Sequence, residues 1–454
     1  MKKSIHKIYS KVGIESNRTK NITKHVFLSV LYKGGSIVCN FLLVPLTINY
    51  LDTQNYGIWL TLSSFIAWFS FFDIGLGNGL RNKFAEAKAK GDMTLARGYV
   101  SSAYFTIGFV SFSLTLCFII INLFIDWTNF FNVSKSLQRD LSLLMPVVFG
   151  FFCLQLVVKL ISTIYTADQR HSMEGKVNFF TQAGSLFLIW MMSKTSDSSL
   201  LIFGIIFSAF PVILLLILNL IAFNNRYKSY KPSFRLWKKD YLKDIFGLGV
   251  KFFIIQVSGI ILFSTDNIII TQLFGPKEVV PYNIAFKYFS IVNMILSLTL
   301  TPFWSAVTEA FINRDFEWIK RSMKNVLRIT FLSNIIIVIL IFSSHFFYKL
   351  WIGNKVAIPM KLTVFMAIYF CLTNFYAPFT YFINGTGKVK LQMYSVLTTS
   401  LINIPLSIYF ARNLDMGVSG VILATIVCLV PHVLISPIQY LKLIKNKANG
   451  IWSE

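Results

Sequence analysis

From residue 26 to residue 441 the chain alternates between long apolar runs and short polar, mostly basic breaks. An apolar run of about 20 residues is what a helix needs to cross the hydrocarbon of a bilayer. Twelve such segments are predicted, at 26–50, 54–79, 98–125, 141–166, 176–193, 199–223, 246–273, 280–305, 325–348, 358–383, 391–411 and 417–441. The fifth, interrupted by Gln182 and Gly184, and the eleventh carry the weakest pattern. The apolar runs leave no room for a separate soluble domain, so the expected fold class is an all-α integral membrane protein with twelve transmembrane helices.

Three segments carry polar stripes. In the first, Ser29, Lys33, Ser36, Asn40 and Thr47 recur at spacings of 4, 3, 4 and 7, which places all five on one helical face. In the eighth, Asn283, Lys287, Ser290, Ser297 and Thr301 do the same, and the seventh adds Gln256, Ser264, Asp266, Asn267 and Thr271. A charge at the bilayer centre costs roughly 2.5 to 3.5 kcal/mol on insertion scales, so those that persist mark functional positions. Lys33, Ser36, Asn40, Gln256, Asn267, Asn283, Lys287 and Ser290 are therefore expected to line a polar, partly cationic cavity. The competing reading is that the lysines snorkel to headgroups and that the hydroxyls satisfy backbone carbonyls. Asp266 cannot snorkel far. It is expected either to exchange an ion or to pair with Lys287.

The chain divides near its midpoint at the basic stretch NNRYKSYKPSFRLWKKDYLKD, Asn224 to Asp244, with six segments on each side. At an offset of about 226 residues the halves echo one another: Asn40 falls opposite Asp266 and Ser64 opposite Ser290. An even number of helices per half keeps both halves in one orientation, as in transporters built from parallel repeats. The expected organisation is a cytoplasmic tail at 1–25, a six-helix bundle at 26–223, a basic linker at 224–245, a second six-helix bundle at 246–441 and a cytoplasmic tail at 442–454. The polar, basic stretch before the first segment does not read as a cleaved signal peptide.

Composition agrees, with 55% hydrophobic and 14% charged residues and 45 Phe in 454, against the roughly 25% charged of an ordinary soluble domain. The net charge of +24 invites a nucleic-acid reading, but its placement decides against one. With a cytoplasmic N-terminus, 31 of the 43 Lys and Arg fall on the cytoplasmic side, 8 on the other and 4 within segments. That bias is the positive-inside signal, so both termini are expected in the cytoplasm and the charge beside anionic lipid. All five cysteines (Cys39, Cys117, Cys153, Cys371, Cys428) lie in apolar segments without CxxC spacing, and the five histidines are scattered without HExxH. No Walker A motif or DxD pair is present, and outside loops are about 15 residues at most. The expectation is a non-enzyme with no cofactor, no metal site and no nucleic-acid partner.

One motif remains. FDIGLGNGLRNKFAEAKAKGD sets Gly75, Gly77 and Gly79 two apart, bracketed by Asp73 and Arg81. A phosphate loop needs a strand before it and a soluble βαβ unit around it; this motif follows a membrane segment and reads GxGxG. The glycines are expected to loosen or closely pack the cytoplasmic end of the second segment, and Asp73, Gly75, Gly77, Gly79 and Arg81 to form an inner gate or hinge.

With this motif, the preceding LVPLTINYLDTQNYGIWLTL, the later DNIIITQLFGPKEVVPYNIAFKY and the six-plus-six pattern, the chain resembles the polysaccharide (Wzx-type, O-antigen) flippases of the multidrug/oligosaccharidyl-lipid/polysaccharide (MOP) exporter superfamily. The resemblance implies two six-helix bundles working by alternating access in a bacterial cytoplasmic membrane. The implied cargo is an oligosaccharide on an isoprenoid diphosphate, passed from the cytoplasmic to the outer leaflet for surface polysaccharide synthesis. Implied partners are this lipid-linked oligosaccharide, membrane lipids, a polysaccharide polymerase and a chain-length regulator. Alternatives are a MATE-type multidrug or cation antiporter, a flippase for the peptidoglycan lipid precursor and, from a different class, a membrane glycan polymerase or ligase.

Overall fold

The computed structural model describes residues 17–168, 170, 172–246 and 250–453. Among these residues every regular element is a helix, and those of eight residues or more are α1 (Asn17–Ala67), α2 (Ile74–Ala89), α3 (Met93–Asn122), α4 (Gln138–Val158), α5 (Leu160–Ala167), α6 (Ser172–Thr195), α7 (Leu200–Asn224), α8 (Lys239–Phe246), α9 (Val250–Phe274), α10 (Val279–Ile312), α11 (Phe316–Ile352), α12 (Met360–Thr386), α13 (Lys390–Ile408) and α14 (Val418–Ile444). The reason is that backbone polar groups in hydrocarbon must be satisfied within the segment, and a helix does so residue by residue. Ten helices among the described residues are long and apolar enough to cross a membrane. Large apolar side chains face outward from them; Phe109 on α3 is 73% exposed and Phe342 on α11 84%. In water that would be costly, whereas in lipid it is the solvent-facing surface.

Helix ends follow local chemistry. Asp92 and Asp315 cap α3 and α11 by accepting from the Leu95 and Trp318 amides, and glycines with positive φ, Gly353 and Gly387, end α11 and α12. α1 is interrupted at Asp52, whose φ of 68° and ψ of 175° lie in a region that normally only glycine occupies. Two hydrogen bonds hold it there: the Asn55 backbone N–H to Oδ1 (3.0 Å) and the Asn55 side-chain amide to Oδ2 (2.9 Å).

The chain folds as two compact units. The first comprises Met1–Tyr50, Phe72–Ile125 and Arg139–Leu248; the second comprises Leu51–Phe71, Asp126–Gln138 and Gly249–Glu454. The break in α1 thus coincides with passage of the chain from one unit to the other.

In the first unit, α2, α3, α5, α7 and α8 share a core that includes Phe84, Val100, Ile161, Ile164, Tyr227 and Ile245. Beside it Asp168, at the end of α5, joins three separate segments. It accepts from Lys88 Nζ of α2, from Arg226 Nη2 (2.9 Å) and Nε (3.1 Å), and from the Tyr227 hydroxyl (3.0 Å). Burial alone would raise the pKa of this carboxyl, but the bonds from Lys88, Arg226 and Tyr227 outweigh that and hold it below the ordinary carboxylate value. A carboxyl lowered on folding contributes stability that is fully present above its unfolded pKa of about 4 and fades as the pH falls through the lower folded value. Asp168→Asn is accordingly expected to lose about 1–3 kcal/mol at neutral pH, since it weakens bonds from three donors on two other segments. Thermal unfolding in detergent at pH 7 and below pH 4 checks this; the gap between wild type and variant should narrow at the lower pH.

In the second unit, α10, α11, α12 and α14 build the core, with Leu300, Phe303, Val307, Met323, Phe382 and Tyr440 among its buried members. The segment Leu51–Phe71 belongs to this unit and packs along α9. There the Cβ of any residue replacing Gly57 would lie 1.9 Å from the Pro276 carbonyl oxygen. Thr61 and Thr271 hydroxyls meet at 2.6 Å, and the Asn267 side-chain amide donates to Ser64 Oγ at 2.7 Å. Positions 57, 61 and 64 are one face of a helix, so these three contacts form one seam.

Candidate functional site

At the end of that seam the second unit holds a cavity of about 260 Å³. Leu60, Ser63, Ser64 and Ala67 of α1 supply one wall; Ser264, Asp266 and Asn267 of α9 a second; Tyr282, Asn283 and Phe286 of α10 a third. Tyr369 of α12 and Thr425 of α14 complete it. The helices place these side chains in register: Tyr282 and Asn283 on α10 stand opposite Asp266 and Asn267 on α9. The Tyr282 hydroxyl donates to Asp266 Oδ2 (2.5 Å), and the Asn283 side-chain amide donates to Asn267 Oδ1 (2.8 Å). On the other side Thr425 Oγ1 donates to Asp266 Oδ2 (3.4 Å) and accepts from the Asn403 side-chain amide (3.1 Å).

Asp266 is therefore a carboxylate that is only 3% exposed and held by two hydroxyls. Its second oxygen, Oδ1, is buried and accepts from no group among the described residues. A buried carboxylate without a cationic partner carries a desolvation penalty that a bound proton or cation removes. Hydroxyl and amide groups around it offer further oxygens and hydrogen-bond donors. The site can thus exchange a proton or small cation, and it can hydrogen-bond polar cargo. Among the described residues no group of three His, Cys, Asp or Glu side chains could hold a metal.

Of the polar-stripe residues singled out by sequence, the structure brings Ser264, Asp266, Asn267 and Asn283 together in this cavity. Lys287 and Ser290 lie further along α10 and are half-buried, and Gln256 on α9 is exposed. Lys33, Ser36 and Asn40 are half-buried on α1 in the first unit. The expected alternative of an Asp266–Lys287 ion pair is not formed. Asp266 is in register with Tyr282, and Lys287 is five residues on, about 7.5 Å along the helix and on another face. Tyr282 and Thr425, the groups that do hold Asp266, read as ordinary residues of apolar segments.

In the glycine motif, Asp73 closes a 3₁₀ turn (Trp68–Asp73), with its side chain outside the described part. Gly75, Gly77 and Gly79 fall in the first turns of α2, and Arg81 is exposed. Gly79 is a close-approach position: a Cβ there would lie 2.0 Å from the Ile245 carbonyl oxygen of α8. Only glycine lets these two backbones pack so closely.

Residues 252–409 match the MatE family. An O-antigen export protein, so named, of Yersinia pseudotuberculosis is 23% identical over 392 residues, covering 83% of this chain and 86% of its own. A protein of Salmonella typhi named as an O-antigen transporter is 22% identical over 388 residues, covering 84% and 86%. Among solved structures, the inward-facing conformation of a multidrug resistance MATE family transporter superposes with a TM-score of 0.71 at 13% identity, over 93% of this chain and 96% of that one. Its outward-facing counterpart gives 0.66 at 13%, over 94% and 96%. Residues 252–409 thus match the MatE family, the curated relatives are named for O-antigen export, and the fold is that seen in the solved MATE transporters.

Proposed function

We propose that this protein is a flippase that carries isoprenoid-diphosphate-linked oligosaccharide repeat units from the cytoplasmic to the outer leaflet of a bacterial cytoplasmic membrane, by alternating access, for surface polysaccharide synthesis. The observation that carries the reading is the match over more than four-fifths of the chain to proteins named as O-antigen exporters. The hydroxyl- and amide-lined cavity around Asn267 and Asn283 is chemistry suited to sugar hydroxyls. Lys33 and Lys287, with Ser36, Asn40, Gln256 and Ser290, are proposed to meet the cargo, the cations serving the diphosphate. Asp73, Gly75, Gly77, Gly79 and Arg81 are proposed as the inner gate or hinge.

Twelve crossings in a six-plus-six arrangement, with both termini cytoplasmic, fit the helices if α1 counts twice about Asp52 and the more polar α6 counts once. The positive-inside distribution of Lys and Arg supports that orientation. Partners would be the lipid-linked oligosaccharide, bilayer lipids and the polymerase and chain-length regulator that act on the exported units.

With an inside-negative potential, moving an anion outward gains roughly 2.3 kcal/mol per elementary charge per 100 mV, so a diphosphate can be exported on the potential. The buried Asp266 carboxylate favours a second component, coupling to inward movement of a proton or cation, as a cation antiporter would use. Deleting the gene is expected to trap lipid-linked repeat units on the cytoplasmic leaflet and to strip the surface glycan, both restored by the intact gene. Unchanged surface glycan with heightened sensitivity to cationic drugs would instead make this a multidrug exporter.

A further inference from the structure

Away from the Asp266 cavity, the second unit has a groove of about 660 Å³ on α11, closed on one side by the buried Tyr440 of α14. Its lining has two zones. Lys320, Lys324 and Arg328 recur every four residues, so they form one row about 12 Å long on the helix face. One turn further on, Phe331 and Leu332 are 67% and 59% exposed and continue the groove as an apolar channel. Lys320 is paired with Glu317 at 2.7 Å. Among the described residues no carboxylate pairs with Lys324 or Arg328.

The sequence sets the depth of this row in a bilayer. The 20 residues after Arg328, 329–348, contain no Asp, Glu, Lys or Arg, which is the length of one crossing. Arg328 therefore stands at the boundary of the hydrocarbon, Lys324 and Lys320 stand at headgroup level, and Phe331 and Leu332 lie among acyl chains. On the orientation given under Proposed function, on which this inference rests, the leaflet is the cytoplasmic one. Cations at headgroup depth over an apolar channel match the two ends of an anionic amphiphile, and basic pockets of this kind hold polyanionic lipid headgroups.

We propose that the α11–α14 groove is a binding site for an anionic phospholipid of the cytoplasmic leaflet, its phosphates on Lys324 and Arg328 and an acyl chain along Leu327, Phe331 and Tyr440. Two cations one turn apart, about 6 Å along the helix axis, fit two phosphates separated by a glycerol, as in diphosphatidylglycerol. They fit less well the adjoining phosphates of an isoprenoid diphosphate, which a single cation would span.

The test uses the purified full-length protein in detergent and reads the rise in Tm on adding lipid. Diphosphatidylglycerol is expected to stabilise the wild type saturably and phosphatidylcholine is not. Lys324→Gln/Arg328→Gln is expected to raise the half-saturating concentration of diphosphatidylglycerol roughly tenfold or more, as loss of two headgroup-level cations implies. The proposal is overturned by a double variant that responds like wild type, by an equal response to phosphatidylcholine, or by a stronger response to isoprenoid diphosphate, which would assign the groove to the carrier lipid. Should the double variant not fold, Arg328→Gln is compared with Arg321→Gln, two turns away along α11 and outside the groove lining. Weakening confined to Arg328→Gln supports the site, and equal weakening reduces it to general surface charge. Because the readout is lipid binding, its failure would leave the flippase reading standing.

Discussion

Gly57→Val is expected to abolish surface glycan export and to lower the Tm of the purified protein, although it alters no group that lines the Asp266 cavity. Its Cβ would sit 1.9 Å from the Pro276 carbonyl oxygen and 2.5 Å from the carbonyl carbon, and both are backbone that cannot rotate away. The helix must instead retreat by more than an ångström from the turn that starts α10. Thr61–Thr271 and Ser64–Asn267 lie one and two turns along the same face, so retreat separates both. Two hydrogen bonds, one buried and one partly buried, at about 1 kcal/mol each, together with overpacking of about 1–3 kcal/mol, give a loss of about 3–5 kcal/mol. The control is Gly34→Ala on the same helix, where an added Cβ meets nothing within 4 Å and helix propensity improves. If Gly57→Val matches the control in Tm and in restoring glycan to a deletion strain, the seam does not position the site.

That seam also separates what the sequence makes legible from what it hides. Helical class and the approximate place of each crossing follow from the length of the apolar runs, because lipid imposes that length. The gap expected between residues 50 and 54 falls on the Asp52 break, because polar residues interrupt the apolar run there. That the division is a strained aspartate held by Asn55 is geometry with no pattern of its own. Asp266 stands out because an acid in an apolar run is rare, but its partners Tyr282 and Thr425 are types that apolar helices carry freely. Lys287 attracted the pairing by charge alone, and the register of α9 against α10 gave that place to Tyr282. Glycines show the same limit. Spacing drew attention to Gly75, Gly77 and Gly79, yet the need for a missing side chain depends on what the other backbone does. Gly57, isolated in NYGIW, touches Pro276 as closely as Gly79 touches Ile245. Gln182 and Gly184 weakened the fifth predicted segment, and α6 is correspondingly a full helix that lacks the apolarity of the ten candidate spans.

Asp266→Asn is expected to uncouple export from the proton or cation gradient with little change in fold. Asparagine has the same shape, and its side-chain carbonyl can still accept from the Tyr282 hydroxyl and from Thr425 Oγ1, which now meet Oδ2. What it lacks is a negative charge to exchange. In the wild type, Oδ1 is buried without a donor among the described residues, so an ionised Asp266 must recruit a proton or cation or carry the desolvation penalty. The neutral variant has no such need at any point of the cycle. In vesicles with an imposed membrane potential, wild-type export should rise when a proton gradient is added, whereas the variant should show the potential-driven component alone. If the gradient drives most of the flux, the variant's rate falls about tenfold, the equivalent of roughly 1.4 kcal/mol of driving force or barrier. Tyr282→Phe separates the carboxylate's charge from its positioning. It removes one donor and leaves the acid, so gradient dependence should persist at a lowered rate. Wild-type export by Asp266→Asn with the same dependence on the gradient would remove Asp266 from the coupling and leave the membrane potential as the sole drive through this site.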